Sequence, residues 1–125
     1  MSTIINTKDA PAPIGPYSQA VWGGNLLFIS GQIAIDPAVN DITAKTIEEE
    51  AEQVMKNLKA ILDAASLSFS NVVKTTIFLS DMQLFATVNG IYGKHFDTHF
   101  PARETVAVKG LPKNVNVEIS MIAAK

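Results

Sequence analysis

Cysteine is missing from all 125 residues. Disulfides, thiolate nucleophiles and cysteine-held metals are excluded with it. Arginine is nearly missing: Arg103 is the only one, and every other Lys/Arg position is lysine. Excess positive charge is absent too, with a net charge of −2 and a pI near 5.6. That balance argues against a nucleic-acid duplex or an anionic membrane as the main partner, since both call for a basic face. No apolar run is long enough to span a bilayer. The opening MSTIINTKDAPAPIGPYS has no basic stretch leading into an apolar segment, so no signal peptide is expected and a cytoplasmic protein is the default. GGNLLFISG has neither a Walker lysine nor a GxGxxG pattern, which leaves nucleotide phosphate binding unsupported. Ser30 has no recognisable His–Asp pair, so a hydrolase triad is not expected.

What remains is a chain that is 47% hydrophobic. That suffices for one core, and residues 1–125 are read as a single domain. DAPAPIGP reads as an extended loop ending in a turn. SQAVW and NLLFISGQI read as strands joined at Gly23-Gly24, a hairpin signal, and DPAVND as a turn. Thr46 followed by Glu49 has capping-box spacing. Ile47, Ala51, Val54, Met55, Leu58, Ile61, Leu62 and Ala65 then recur on one helical face. NVVKTTIFLS is a strong strand. Asp81 is placed to cap a second helix with Phe85, Val88, Tyr92 and Phe96 on one side. RETVAV and VNVEISMIAA read as a closing hairpin around KGLPKN. The expected order, β-β-β-α-β-α-β-β, suggests an α+β layer with both helices on one sheet face.

In that closing hairpin, alternation puts Val115, Val117, Ile119 and Met121 toward the core, together with Val106 and Val108. Arg103, Thr105 and Ala107 then share a face with Glu118 and Ser120. Pairing Val108 with Val115 makes Glu118 the diagonal neighbour of Arg103, and leaves Glu104 on the core side. A structural ion pair is the plainer account of Arg103 and Glu118, and such pairs contribute little at a surface. The scarcity of arginine favours a job, because a guanidinium grips a carboxylate through two parallel hydrogen bonds and lysine does not. His95 and His99, spaced i, i+4 near the end of the second helix, lack a third ligand, so no metal site is expected. Asn89 interrupts an apolar helix side, either for a helix-to-loop hydrogen bond or as a site residue. Tyr17 after IGP suits turn packing. Ser30-Gly31 at a strand end suits a bulge or a close backbone approach.

IGPYSQA, LLFISGQIAIDP, NLKAILDAA, VVKTTIFLSDM, FATVNGIY, FPARETVAV and LPKNVNVEISMIA resemble, in order, the RidA (YjgF) family of reactive-intermediate deaminases. The resemblance covers nearly the whole chain. It implies a chorismate mutase-like fold, a mixed sheet backed by two helices, with three subunits packed sheet to sheet into a trimeric barrel. Ligand clefts lie between neighbouring subunits. It also implies cofactor-free hydrolysis of enamines and imines, above all 2-aminoacrylate and its imine tautomer, to 2-keto acids and ammonia. By position, Arg103 matches the family's carboxylate-binding arginine and Glu118 the glutamate that positions water. Tyr17, Ser30, Gly31, Asn89 and Thr105 match other cleft residues. Thr105 stands where many members have cysteine, and Ala34 where proline is common. The competing expectations are a non-catalytic trimer that binds 2-keto acids or regulates, and RNA cleavage, which the acidic balance disfavours. The preferred imine and the physiological pathway are not legible in the sequence.

Overall fold

Gly24 sits at φ 59°, a left-handed value that glycine adopts at no steric cost. It turns β2 (Ala20–Gly23) back on β3 (Leu26–Gln32), as the Gly-Gly signal predicts. The computed structural model describes residues 3–125 and adds β1 (Ile4–Ile5) along β2. Beyond β3, the turn-rich DPAVND joins β4 (Ile35–Asp36) to β5 (Asp41–Ile42) in a separate small hairpin. Five strands thus precede the first helix where three were expected. The additional pieces are two residues each, too short for alternation to announce them.

Helix α1 (Ile47–Ala64) begins where the capping spacing places it. The Thr46 hydroxyl accepts from the Glu49 amide at 3.1 Å, while the Glu49 carboxylate reaches back one residue further, to the Lys45 amide at 2.7 Å. Its predicted stripe is the buried one, Val54, Met55, Leu58, Ile61 and Leu62 being fully enclosed. After β6 (Val72–Leu79), Asp81 caps a short 3-10 turn over Met82–Leu84 instead of the helix itself, and α2 (Phe85–Gly93) follows directly. α2 ends before Phe96, so His95 and His99 lie beyond it. His95 meets Glu52 of α1 at 3.0 Å and His99 meets the Val72 carbonyl at 3.2 Å. Among the described residues no group of three or more His, Asp or Glu is placed to share a metal ion, and no helix is long and apolar enough to cross a membrane.

The remaining strands correct the predicted closing hairpin. β7 (Ala102–Ala107) does not pair with β8 (Val117–Ala124). β7 lies parallel to β6 at the sheet edge, and β8 inserts antiparallel between β3 and β6, giving the order β1-β2-β3-β8-β6-β7. The cause is the helix between β6 and β7. A strand–helix–strand crossover returns the chain in parallel, and KGLPKN then carries it over β6 to the sheet centre. The result is an α+β fold, a mixed sheet with α1 and α2 on one face, and the core lies between helices and sheet.

Register fixes which side each site residue takes. Arg103 pairs with Thr75, and Thr75 with Met121. Thr75 and Met121 are buried against the helices, so Arg103 and Thr105 belong to the helix side. Glu118 pairs with Phe78, and Phe78 with Val106, on the opposite, uncovered side. Val106 is accordingly exposed. Glu104 is not on the core side either: on the uncovered face it accepts from Thr76 Oγ1 at 2.6 Å and pairs with Lys74 at 3.1 Å. These contacts, Thr76 first, lower its pKa from the ordinary value. The expected Arg103–Glu118 diagonal therefore does not exist within one chain.

Candidate functional site

The predicted site residues fall into two groups, each incomplete. The first surrounds a cleft of about 370 Å³ between the N-terminal loop and the bulged end of β3. Between Ile29 and Gln32 the pairing of β3 with β8 slips, and Ser30 and Gly31 occupy the slip. Slips of this kind re-aim side chains at sheet rims. The Ser30 amide donates to the Gln19 carbonyl at 2.9 Å, and its hydroxyl to the Ser18 carbonyl at 2.6 Å. Ser30 thus clamps the GPYSQA segment beside the strand. Gly31 leaves room for Glu118: a Cβ there would lie 2.5 Å from Glu118 Oε2 and 2.8 Å from its Cδ and would displace the carboxyl. The Glu118 carboxyl therefore lies flat on bare backbone. Among the described residues it has neither a hydrogen-bond nor an ion-pair partner. Desolvation raises its pKa from the ordinary value.

Tyr17 completes this group. Its hydroxyl accepts from the Ile14 amide at 3.2 Å, which leaves the phenolic proton available. The loop is held by Gln19, which sequence reading did not single out. Gln19 is buried; its amide donates to the carbonyls of Thr7, Ala10 and Pro11, and its oxygen accepts from the Thr7 amide. Glu50 of α1 was missed as well, although it is buried on the apolar stripe, between Ile47 and Val54. Its carboxylate accepts from the amides of Asn116 and Val117 at 2.7 and 3.0 Å, and from the Asn116 side chain at 3.1 Å. This fixes the start of β8 immediately before Glu118.

The second group lies on the helix side of β7. The Arg103 guanidinium stands over the rings of Phe85, 5.7 Å from its centroid, and Tyr92, at 5.1 Å. Both distances are within cation–π range. Tyr92 is itself fixed, its hydroxyl donating to Thr75 Oγ1 at 2.9 Å. Burial raises the Tyr92 pKa above its ordinary value, with the Thr75 hydrogen bond and Arg103 opposing. Phe85, Asn89 and Tyr92 are spaced i, i+4, i+7 on α2, so Asn89 shares the stripe that faces the guanidinium. Thr105 lies two residues along β7 on the same side, its hydroxyl oxygen buried without a partner. Arg103 has no carboxylate counterion among the described residues. Sequence reading took Phe85 and Tyr92 for core packing; their second task follows only from the placement of β7.

Chemically, the first group offers a partly desolvated carboxyl beside an open cleft, a proton acceptor without a substrate anchor. The second offers a guanidinium set over two rings with no carboxylate beside it among the described residues, an anion anchor without a base. The two stand on opposite faces of the sheet.

A family model described as Endoribonuclease L-PSP matches residues 7–125. The chain is 49% identical over its whole length to a RutC family protein of Pyrococcus horikoshii, covering 99% of that protein. It is 47% identical to the human 2-iminobutanoate/2-iminopropanoate deaminase over 96% of this chain and 88% of that one. Among solved structures, Escherichia coli TdcF with bound serine superposes with a TM-score of 0.91 at 42% identity, covering 98% of both chains.

Proposed function

The chain belongs to the YjgF/RidA family, and from that premise we propose that it hydrolyses 2-aminoacrylate and related imines of 2-amino acids to 2-keto acids and ammonia, at clefts shared between subunits of a homotrimer. The observation that carries this reading is the separation of Arg103 from Glu118. Each is a half-site lacking what the other holds. A neighbouring subunit that presents its Arg103 at the mouth of the Glu118 cleft completes both. The bound serine of the bacterial relative is a small amino acid with the carboxylate that such an arginine would grip, and the human relative's name specifies imine deamination.

In the proposed mechanism the enamine reaches the cleft as its imine tautomer. Arg103 of one subunit holds the carboxylate through a bidentate contact. Tyr17 and Asn89 border the substrate from the two sides, and Thr105 offers its unpaired hydroxyl beside Arg103. Glu118 of the other subunit takes a proton from water as the water oxygen bonds to the imine carbon and the C=N pair moves to nitrogen. The proton then passes from Glu118 to the nitrogen. Glu118 then takes the hydroxyl proton and delivers it to the same nitrogen, so that the C–N bond breaks with neutral ammonia leaving as the carbonyl closes. An activated imine needs placement and a proton acceptor more than a strong nucleophile.

A coupled assay tests the reading. A serine/threonine dehydratase supplies the intermediate, and pyruvate or 2-ketobutyrate formation is followed with and without the protein. Acceleration of keto-acid release supports deamination. An unchanged rate with saturable keto-acid binding supports the non-catalytic alternative.

A further inference from the structure

We infer that the Glu118 cleft selects imino acids with long aliphatic side chains over the three-carbon imine and over acidic ones. The inference rests on the deaminase reading and concerns which imine that site is built for.

Size comes first. 2-Iminopropanoate has six heavy atoms; allotting each a full water's volume, about 30 Å³, it fills about 180 Å³. The part of the cleft built by one chain offers about 370 Å³, roughly twice that volume. The character of the remaining wall comes next. Away from Glu118 the lining is Pro11, Ala12, Ile14, Ile33, Ile35 and Pro112. Ile14 is 57% exposed, a large aliphatic side chain left uncovered at the rim. Ile33 and Ile35 are held from behind: the buried Asn57 amide donates to both of their carbonyls, at 3.1 and 2.9 Å. The Asn57 oxygen accepts from Gln53. α1 thus builds this wall rigidly.

Apart from Tyr17, whose phenolic proton is available, the neutral polar lining is committed to the backbone. All four donor–acceptor contacts of Gln19 go to residues 7–11, Ser30 donates to Ser18, and the Gln32 amide donates to the Ser30 carbonyl. Glu118 is the one charged side chain of the lining. A second carboxylate on the substrate would meet it as a like charge, because the one arginine of the proposed site, Arg103 of the neighbouring subunit, is engaged by the first carboxylate and the lining from this chain holds no lysine. An aliphatic chain meets the exposed apolar surface of Ala12, Ile14 and Pro112, with the buried Pro11, Ile33 and Ile35 behind it.

The test uses the full-length protein and imines generated in place by an amino-acid oxidase from alanine, 2-aminobutyrate, norvaline, norleucine and glutamate. Hydrolysis is scored as loss of trapping by semicarbazide, normalised to imine flux. The expected result is a kcat/KM that rises about three- to fourfold per methylene from the alanine to the norleucine imine, with the glutamate imine at least tenfold below norleucine's. Ile14→Ser, a change in an exposed loop, should lower the norleucine-to-alanine ratio several-fold. Hydrolysis of the alanine imine with a flat or falling series overturns the selectivity and leaves the deaminase reading standing. A ratio unmoved by Ile14→Ser overturns the assignment of the wall. No hydrolysis of any imine removes the deaminase reading, and this inference with it.

Discussion

Arg103 carries its charge over two aromatic rings and, among the described residues, without a counterion. A paired arginine would have to give up its carboxylate before taking another; this one keeps its planar fork free while the rings limit its motion. Arg103→Ala should lower kcat/KM by roughly 10²–10³. Arg103→Lys should recover only part, since an ammonium keeps the charge but not the fork. Steady-state kinetics on folded protein checks both. Glu118 is the complementary case. Its folded pKa is raised, so the fold favours the neutral acid, and the associated stability is full below the unfolded pKa and lost as pH rises through the folded value. Glu118→Gln should therefore melt at or above the wild-type temperature at pH 8 while losing most of its turnover. The acid limb of wild-type kcat/KM should centre above the ordinary glutamate value of about 4.3 and vanish in the variant. Melting curves and pH profiles on the same samples separate this from a structural role, which would cost stability and spare turnover.

At the scale of elements, α1 and the first hairpin were readable because their signals are local. A cap, a 3.6-residue stripe and a Gly-Gly turn each determine structure within a few residues. The partner of β7 was not readable that way. Two adjacent strand-like runs suggest a hairpin, yet the α2 crossover that precedes β7 decides the pairing, and a parallel pair carries no turn signature. The error reversed the faces of RETVAV, so Arg103, singled out for its scarcity, was placed on the wrong side of the sheet. Tyr17, Ser30, Gly31 and Glu118 converge on one cleft; Asn89 and Thr105 go with Arg103. Buried polar anchors such as Glu50 and Asn57 were invisible because their partners are backbone groups far along the chain. Glu50→Ala leaves the amides of Asn116 and Val117 without an acceptor, and should cost about 2–4 kcal/mol in chemical denaturation. A loss below about 0.5 kcal/mol, the range of ordinary surface changes, would show that β8 is fixed by its sheet neighbours alone.

For the molecule as a whole, the uncovered sheet face is the feature that demands a partner. Register aligns Ile4, Val21, Phe28 and Ile122 in one row across four strands, and Leu26 and Val106 are also exposed on that face. Ser120 belongs there and Arg103 and Thr105 do not, so the surface to be buried differs from the one the sequence suggested. Copies packed through this face would bury an interface of obligate type, above roughly 2,000 Å². Light scattering at micromolar concentration should give three times the chain mass of 13.4 kDa; a monomer would refute the assembly.

The central claim, that Arg103 and Glu118 act across a subunit boundary, is tested most directly by mixing. Arg103→Ala and Glu118→Gln proteins, each nearly inactive, are unfolded together in equal amounts, refolded and assayed. In a cyclic trimer, random assembly places an intact Arg103 opposite an intact Glu118 at about one interface in four. The mixture should therefore regain about a quarter of wild-type activity, and each variant refolded alone should regain none. A mixed sample no more active than the average of the two variants, with mixed trimers demonstrated by mass, would contradict the account.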